Sequence, residues 1–141
     1  MDKPDRRPCR LAAGTRIMMA ARETDDAASP LDEEFLLRQA AGDEALMREV
    51  AQLFREQLKG QMAVIAGNGA AALRYEAAHT LKGASLAIGA RPLAEAARRI
   101  EAELRRATEG GEQAGLDDLL PPLEAAAADC DIALAELLTR G

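Results

Sequence analysis

His79 is the single histidine among 141 residues. It sits in the stretch Ala77-Ala78-His79-Thr80-Leu81-Lys82-Gly83-Ala84-Ser85-Leu86-Ala87-Ile88-Gly89. At 3.6 residues per turn, Ala77, Ala78, Leu81, Ala84, Ser85 and Ile88 gather on one side as a core stripe. Tyr75, His79, Lys82, Gly83 and Leu86 gather on the other, so the histidine is expected to face outward near mid-helix. A neutral imidazole, with an ordinary pKa near 6.5, is a free nucleophile at neutral pH. It can attack the phosphorus of an acyl phosphate and hold the group as a phosphoramidate that remains transferable. In-line phosphoryl transfer needs mostly positioning and charge neutralisation, so the metal and the acidic pocket can belong to a partner. Lys82 at i+3 supplies positive charge beside an attached phosphoryl group. Gly83 at i+4 is costly within a helix, by about 1 kcal/mol relative to alanine. Its missing side chain leaves the imidazole open to another protein's surface. A lone helical histidine is ordinarily only a surface residue, and Gly83 alone could be a packing glycine. The weight falls on the three residues together.

The elements that must carry this site are legible from apolar spacing and caps. Asp32 suits an N-cap or first-turn acid before Phe35, Leu36 and Leu37, with a stop at Gly42. Asp43 restarts a helix whose core stripe is Leu46, Val50, Leu53, Phe54, Leu58, Met62 and Ile65. Gly67-Asn68-Gly69 ends it. A third helix runs from about Ala70 to Ile88, with Gly89 as its C-terminal cap. Pro92 suits the first turn of the next, whose inner face is Leu93, Ala96 or Ala97, Ile100, Leu104 and Ala107. After Gly110-Gly111 and Gly115, a last helix begins near Leu116, with Asp117 and Asp118 at its positive end. Pro121 and Pro122 fit only its first turn or a kink there. Leu123, Ala127, Ile132, Leu134, Leu137 and Leu138 carry it to the end. Short loops make neighbours antiparallel, so the expected fold is all-α: an up-down-up-down four-helix bundle with a short leading helix. Residues 31–141 form that domain. Residues 1–30, punctuated by Pro4, Pro8, Gly14 and Pro30, form an N-terminal extension that is weakly ordered or holds a short helix over 16–24.

Composition narrows the function. The chain is 48% hydrophobic with abundant alanine and leucine, and aromatics are reduced to Phe35, Phe54 and Tyr75, which favours helix over strand. Residues 31–141 hold twelve Lys/Arg against nineteen Asp/Glu. Such an acidic body with so few aromatics argues against nucleic acid as a partner. Cys9 and Cys130 are far apart, and with one histidine they cannot assemble a structural zinc site. Both read as free thiols, with Cys130 buried. No window reaches the roughly 20 apolar residues of a membrane span, and Thr15 and Arg16 break the N-terminal apolar run. The expectation is a soluble cytoplasmic protein with no membrane partner. No Gly-rich phosphate loop is present, so the chain is expected to bind no cofactor and to be no enzyme in its own right.

His79-Thr80-Leu81-Lys82-Gly83, followed by Ser85, Gly89-Ala90, Leu93 and Ile100-Glu101, resembles the signature of the histidine phosphotransfer (HPt) domain family. The run from Asp43-Glu44 to Phe54 and the Gly-Asn-Gly break also look like that family's second helix. The resemblance covers roughly residues 31–138. Ile100 stands where leucine is commoner, Pro121-Pro122 is unusual, and residues 1–30 have no counterpart. The resemblance implies a stand-alone phosphorelay intermediate of the bacterial two-component type. His79 is then the phosphoacceptor, Lys82 the charge partner and Gly83 the opening for a receiver domain. The partners implied are a response-regulator receiver and a sensor histidine kinase, with Mg²⁺ needed only in the receiver. Tyr75 and Leu86 are candidate docking contacts. Arg74, Arg91, Arg98 and Arg99 are either a basic rim for an acidic receiver or, as is commoner, solvated helix charges. A monomer is expected. The alternative is a non-catalytic docking module that keeps the fold and binds a receiver or kinase without transferring phosphate. A weaker one is a dimeric bundle.

Overall fold

The structure, a computed structural model, describes residues 29–111 and 115–140. The expected helix over 16–24, and Cys9 with it, lie outside the described residues. Five helices follow in order: α1 (Glu33–Gln39), α2 (Glu44–Ala66), α3 (Ala71–Ile88), α4 (Arg91–Thr108) and α5 (Leu116–Thr139). No strand occurs among the described residues. Helices α2 to α5 each pack on the next, α5 closes onto α2, and α1 packs on α2 and α3. This is the expected four-helix bundle with a short leading helix.

The starts and stops follow from local chemistry. Asp32 and Asp43 cap α1 and α2, accepting from the backbone N–H of Phe35 at 3.0 Å and of Leu46 at 3.1 Å. Each satisfies an otherwise orphan donor at a helix start. Helix α3 ends at Gly89, whose φ of +84° is the left-handed conformation that favours glycine. The same residue also has no room for a side chain. A Cβ there would stand 3.0 Å from Phe35 Cδ2 and 3.1 Å from the Asp32 carbonyl oxygen. The Asp32 N–H donates to the Gly89 carbonyl at 3.0 Å, so this glycine joins α1 to the α3–α4 turn. With only Gly89 and Ala90 between them, α3 and α4 must fold back on one another. Their register, which the site depends on, is fixed by this turn. Pro92 is in the first turn of α4 as expected. The α5 start is held from α4: the Gly115 N–H donates to Glu103 Oε2 at 3.4 Å, a carboxylate at a helix N-terminus.

The core is a stack of leucine, isoleucine and alanine, with Leu36, Ile65, Leu81, Leu93, Ile100, Leu104, Leu123, Leu134 and Leu137 fully enclosed. Small residues Ala77, Ala78 and Ser85 line the inner side of α3, as projected, while Ala84 is half-buried. Several expected core positions are corrected. On α2 the buried row is Ala51, Phe54, Leu58 and Ile65, whereas Leu46 and Leu53 are exposed. Apolar residues three and four apart run in two adjacent rows there, and periodicity alone does not choose between them. On α5 Ile132 is exposed, and Leu138 only half-buried. Pro121 and Pro122 lie in the second turn of α5, and the helix runs on through them. Their missing N–H groups would have bonded the carbonyls of Asp117 and Asp118, which are exposed residues within reach of water. Cys130 is buried and free. Desolvation, with the neighbouring Asp131 charge, pushes its thiol up to about 12, so it is inert as a nucleophile.

Candidate functional site

Helix α3 turns His79 outward, with 59% of its side chain exposed. The ring is not loose. Its Nδ1 is hydrogen-bonded to Glu101 Oε2, a carboxylate that reaches it from α4. The other oxygen, Glu101 Oε1, accepts from Lys82 Nζ at 2.8 Å. The Glu101 side chain is only 4% exposed, so a buried carboxylate carries two donors from the adjacent helix. Burial is the largest single influence on it and raises its pKa. The hydrogen bonds and charges of Lys82 and His79 together outweigh burial and hold it below the ordinary glutamate range. An ionised carboxylate can only accept. His79 must therefore donate through Nδ1–H, which leaves the lone pair of Nε2 as the free nucleophile.

Tyr75, one turn before His79, lays its ring against the imidazole with centroids 6.0 Å apart and planes 16° apart. It is half-buried rather than fully exposed. Arg105 of α4 lies over the Tyr75 ring at 5.7 Å and donates to its hydroxyl at 3.2 Å. The imidazole is thus held at one edge by Glu101 and on one face by Tyr75. On its C-terminal side the space is open: a Cβ added at Gly83 would meet nothing within 4 Å. Gly83 therefore has no packing reason to be glycine, as the projection predicted. Leu86 stands two turns from His79 with 54% exposure. Between α3 and α4 lies a groove of about 580 Å³ lined by Lys82, Leu86, Arg91, Pro92, Ala94, Glu95 and Arg98.

All five sequence candidates, His79, Lys82, Gly83, Tyr75 and Leu86, come together on this one face. Arg74 does not. It is buried, and its Nε donates to the Ile65 carbonyl at 2.9 Å across the turn between α2 and α3. It is neither a rim residue nor a solvated charge. Arg98 and Arg99 are exposed and share Glu95, and Arg91 lies 3.8 Å from Asp32. In the sequence Glu101 stands out only as part of the family resemblance, without a role of its own. The available signal was an acid set among Ala97, Ile100 and Leu104 on the apolar side of α4, where an unpaired charge would be expensive. Ser85 is fully buried and its Oγ finds no partner among the described residues. No cluster of metal-binding side chains occurs among them, and none of their helices is long and apolar enough to cross a membrane.

The site is thus a closed four-helix ring that displays one histidine, steadied from behind by a carboxylate on the next helix. Comparison with family models identifies the class: residues 49–140 match the Hpt domain. The chain belongs to the Hpt domain family, and its role is histidine phosphotransfer in a phosphorelay. Comparison with curated proteins and with solved structures returns no match.

Proposed function

We propose that this chain carries a phosphoryl group on Nε2 of His79. It takes the group from the phospho-Asp of a receiver domain or from a histidine kinase, and passes it to another receiver. The observation that supports this is the Glu101 carboxylate on Nδ1, which leaves one nitrogen free and aims it at solvent. In the transfer, the Nε2 lone pair forms a bond to phosphorus as the bond from phosphorus to the aspartyl oxygen breaks. The carboxylate of the donor leaves with that electron pair. Nδ1 keeps its proton, so the ring gains a positive charge, and Glu101 lies against it to neutralise that charge. The Lys82 ammonium has three N–H donors, of which the bond to Glu101 uses one. The others are available to a phosphoryl oxygen. Gly83 leaves the approach clear for the partner's surface, and Tyr75 and Leu86 are contacts for it.

In this reading the protein is no enzyme by itself. It has no ATP site and no cofactor, and Mg²⁺ is needed in the receiver alone. A free-standing monomer in the cytoplasm is part of the same proposal. The test is transfer of radiolabelled phosphoryl from a phosphorylated receiver to the wild type and to His79→Gln. Labelling should vanish in the variant, and the wild-type adduct should be acid-labile and base-stable. Equal labelling of the variant, or an acid-stable adduct, refutes the assignment.

A further inference from the structure

The charge of the bundle is lopsided in a way that carrying a phosphoryl group does not require. Helix α4 holds five arginines and three glutamates, a net +2, while the rest of residues 31–141 holds seven Lys/Arg and sixteen Asp/Glu, a net −9. Burial sharpens the contrast. Glu101 and Glu103 are enclosed, so the solvent face of α4 sets five arginines against Glu95 alone. Arg91, Arg98 and Arg105 recur every seven residues, close to two helical turns. They form a row about 21 Å long at 1.5 Å per residue. This row follows the α3 side of α4. Arg91 and Arg98, with side chains 54% and 55% exposed, line a groove with Lys82, Leu86, Pro92 and Ala94, in which Glu95, paired with Arg98, is the one acid. Arg105 continues the row to Tyr75, whose ring lies on His79.

We propose that this groove and its arginine row are the face on which the receiver docks, and that they select receivers whose contact surface is an apolar patch bordered by a line of carboxylates. The inference rests on the carrier reading of His79. Charge complementarity identifies the occupant. A partner with a carboxylate edge gains attraction from Arg91, Arg98 and Arg105, while the net charge of the bundle outside α4 is repulsive to it. Only one approach is then favoured, and it brings the partner's phosphoryl-bearing carboxylate beside His79 rather than against α2 or α5. A partner with a basic edge is turned away from the nucleophile by the same row, which gives specificity by repulsion. Arg99 tests the geometry from within the same helix. It is 60% exposed, yet it lines the groove between α4 and α5 with Leu119 and Pro122.

The experiment uses the full chain and receivers of the same organism, each phosphorylated with acetyl phosphate, and measures the rate of transfer to His79. For a receiver that transfers, the rate should fall about tenfold or more between low and high sodium chloride, the lower end of the range for electrostatic steering. The double variant Arg91→Glu/Arg98→Glu should slow transfer by a similar factor at low salt, and Arg99→Glu should change it by less than about twofold. Direct labelling of His79 with phosphoramidate reports whether the site of the double variant is intact. If that control fails, the wild-type salt series and Arg99→Glu decide. Salt-insensitive transfer, or equal slowing by Arg99→Glu, overturns the docking proposal and leaves the carrier reading standing. Labelling of His79→Gln at the wild-type rate overturns both.

Discussion

Helix α3 has a seam on either side, and the two seams are built differently. The seam with α4 contains a buried carboxylate that holds two side chains of α3, a row of arginines, and a two-residue turn that fixes the register. The seam with α2 is joined through the longer break at 67–70. Across that break Arg74 donates to the Ile65 carbonyl, a structural bond. Its outer groove is apolar, with exposed Val64 and Leu73 beside Glu76 and Thr80. Both seams expose apolar surface near His79. Only one of them can set the tautomer of the imidazole, because only α4 brings a carboxylate to the ring. Exposure makes the histidine reachable, and in the proposed role the buried acid behind it leaves Nε2 as the nucleophile.

The comparison breaks most visibly at Glu101. Glu101→Gln keeps the shape but removes the charge that faces the developing imidazolium. Labelling of His79 should slow on the order of 100-fold, the scale of a lost electrostatic contact to a reacting group, in a single-turnover assay from a fixed donor. A rate within threefold of wild type would show that the α4 seam is passive. Next in size is Gly83→Leu, which places a side chain on the open approach. Transfer from a receiver should fall about tenfold relative to labelling by phosphoramidate, a small donor that needs less room. The gentler Gly83→Ala should raise stability by about 1 kcal/mol in urea unfolding, because a helical glycine is replaced and the new Cβ meets nothing.

A pH series separates the seams by stability. The Glu101 pKa is depressed in the folded protein, so its contribution is present above the unfolded glutamate pKa of about 4.3. It is lost as pH falls through the lower folded value. Wild type should therefore lose stability on acidification below about pH 5 more steeply than Glu101→Gln, measured by urea midpoints. Identical slopes would remove Glu101 from the account. The smallest effects belong to the α2 seam. Leu73→Ser and Val64→Ser should each change transfer by less than about twofold and stability by about 0.5 kcal/mol or less, as for exposed positions in general. A large loss of transfer in either would move the docking face from α4 to α2.

The parts of this arrangement that depend on local sequence were readable. His79, Lys82 and Gly83 lie within one turn and a residue, so helix geometry alone puts them on one face. The caps Asp32, Asp43 and Gly89 act on their own neighbours, and the helix boundaries followed them closely. What depends on packing between helices was less readable. Glu101 is 22 residues from His79, and nothing in the α3 sequence says that a carboxylate will arrive behind the ring. Arg74 looked like a surface charge because helical phase could not show that the turn from α2 passes over it. Leu46 and Leu53 share an apolar period with the true core row of α2, and only the neighbouring helices decide which row is enclosed. Seven-residue spacing of Arg91, Arg98 and Arg105 is visible in the sequence, but its meaning waits on knowing which side of α4 faces α3.

In the proposed mechanism Glu101 fixes the proton on Nδ1 and leaves Nε2 to receive the phosphoryl group. Nitrogen-15 and phosphorus-31 NMR of the full chain, labelled in its one histidine and phosphorylated by a receiver, addresses it directly. The expected result is an Nδ1–H tautomer before transfer and phosphorus coupled to Nε2 after it. A phosphoryl group on Nδ1, or an Nε2–H tautomer in the unphosphorylated protein, would contradict it.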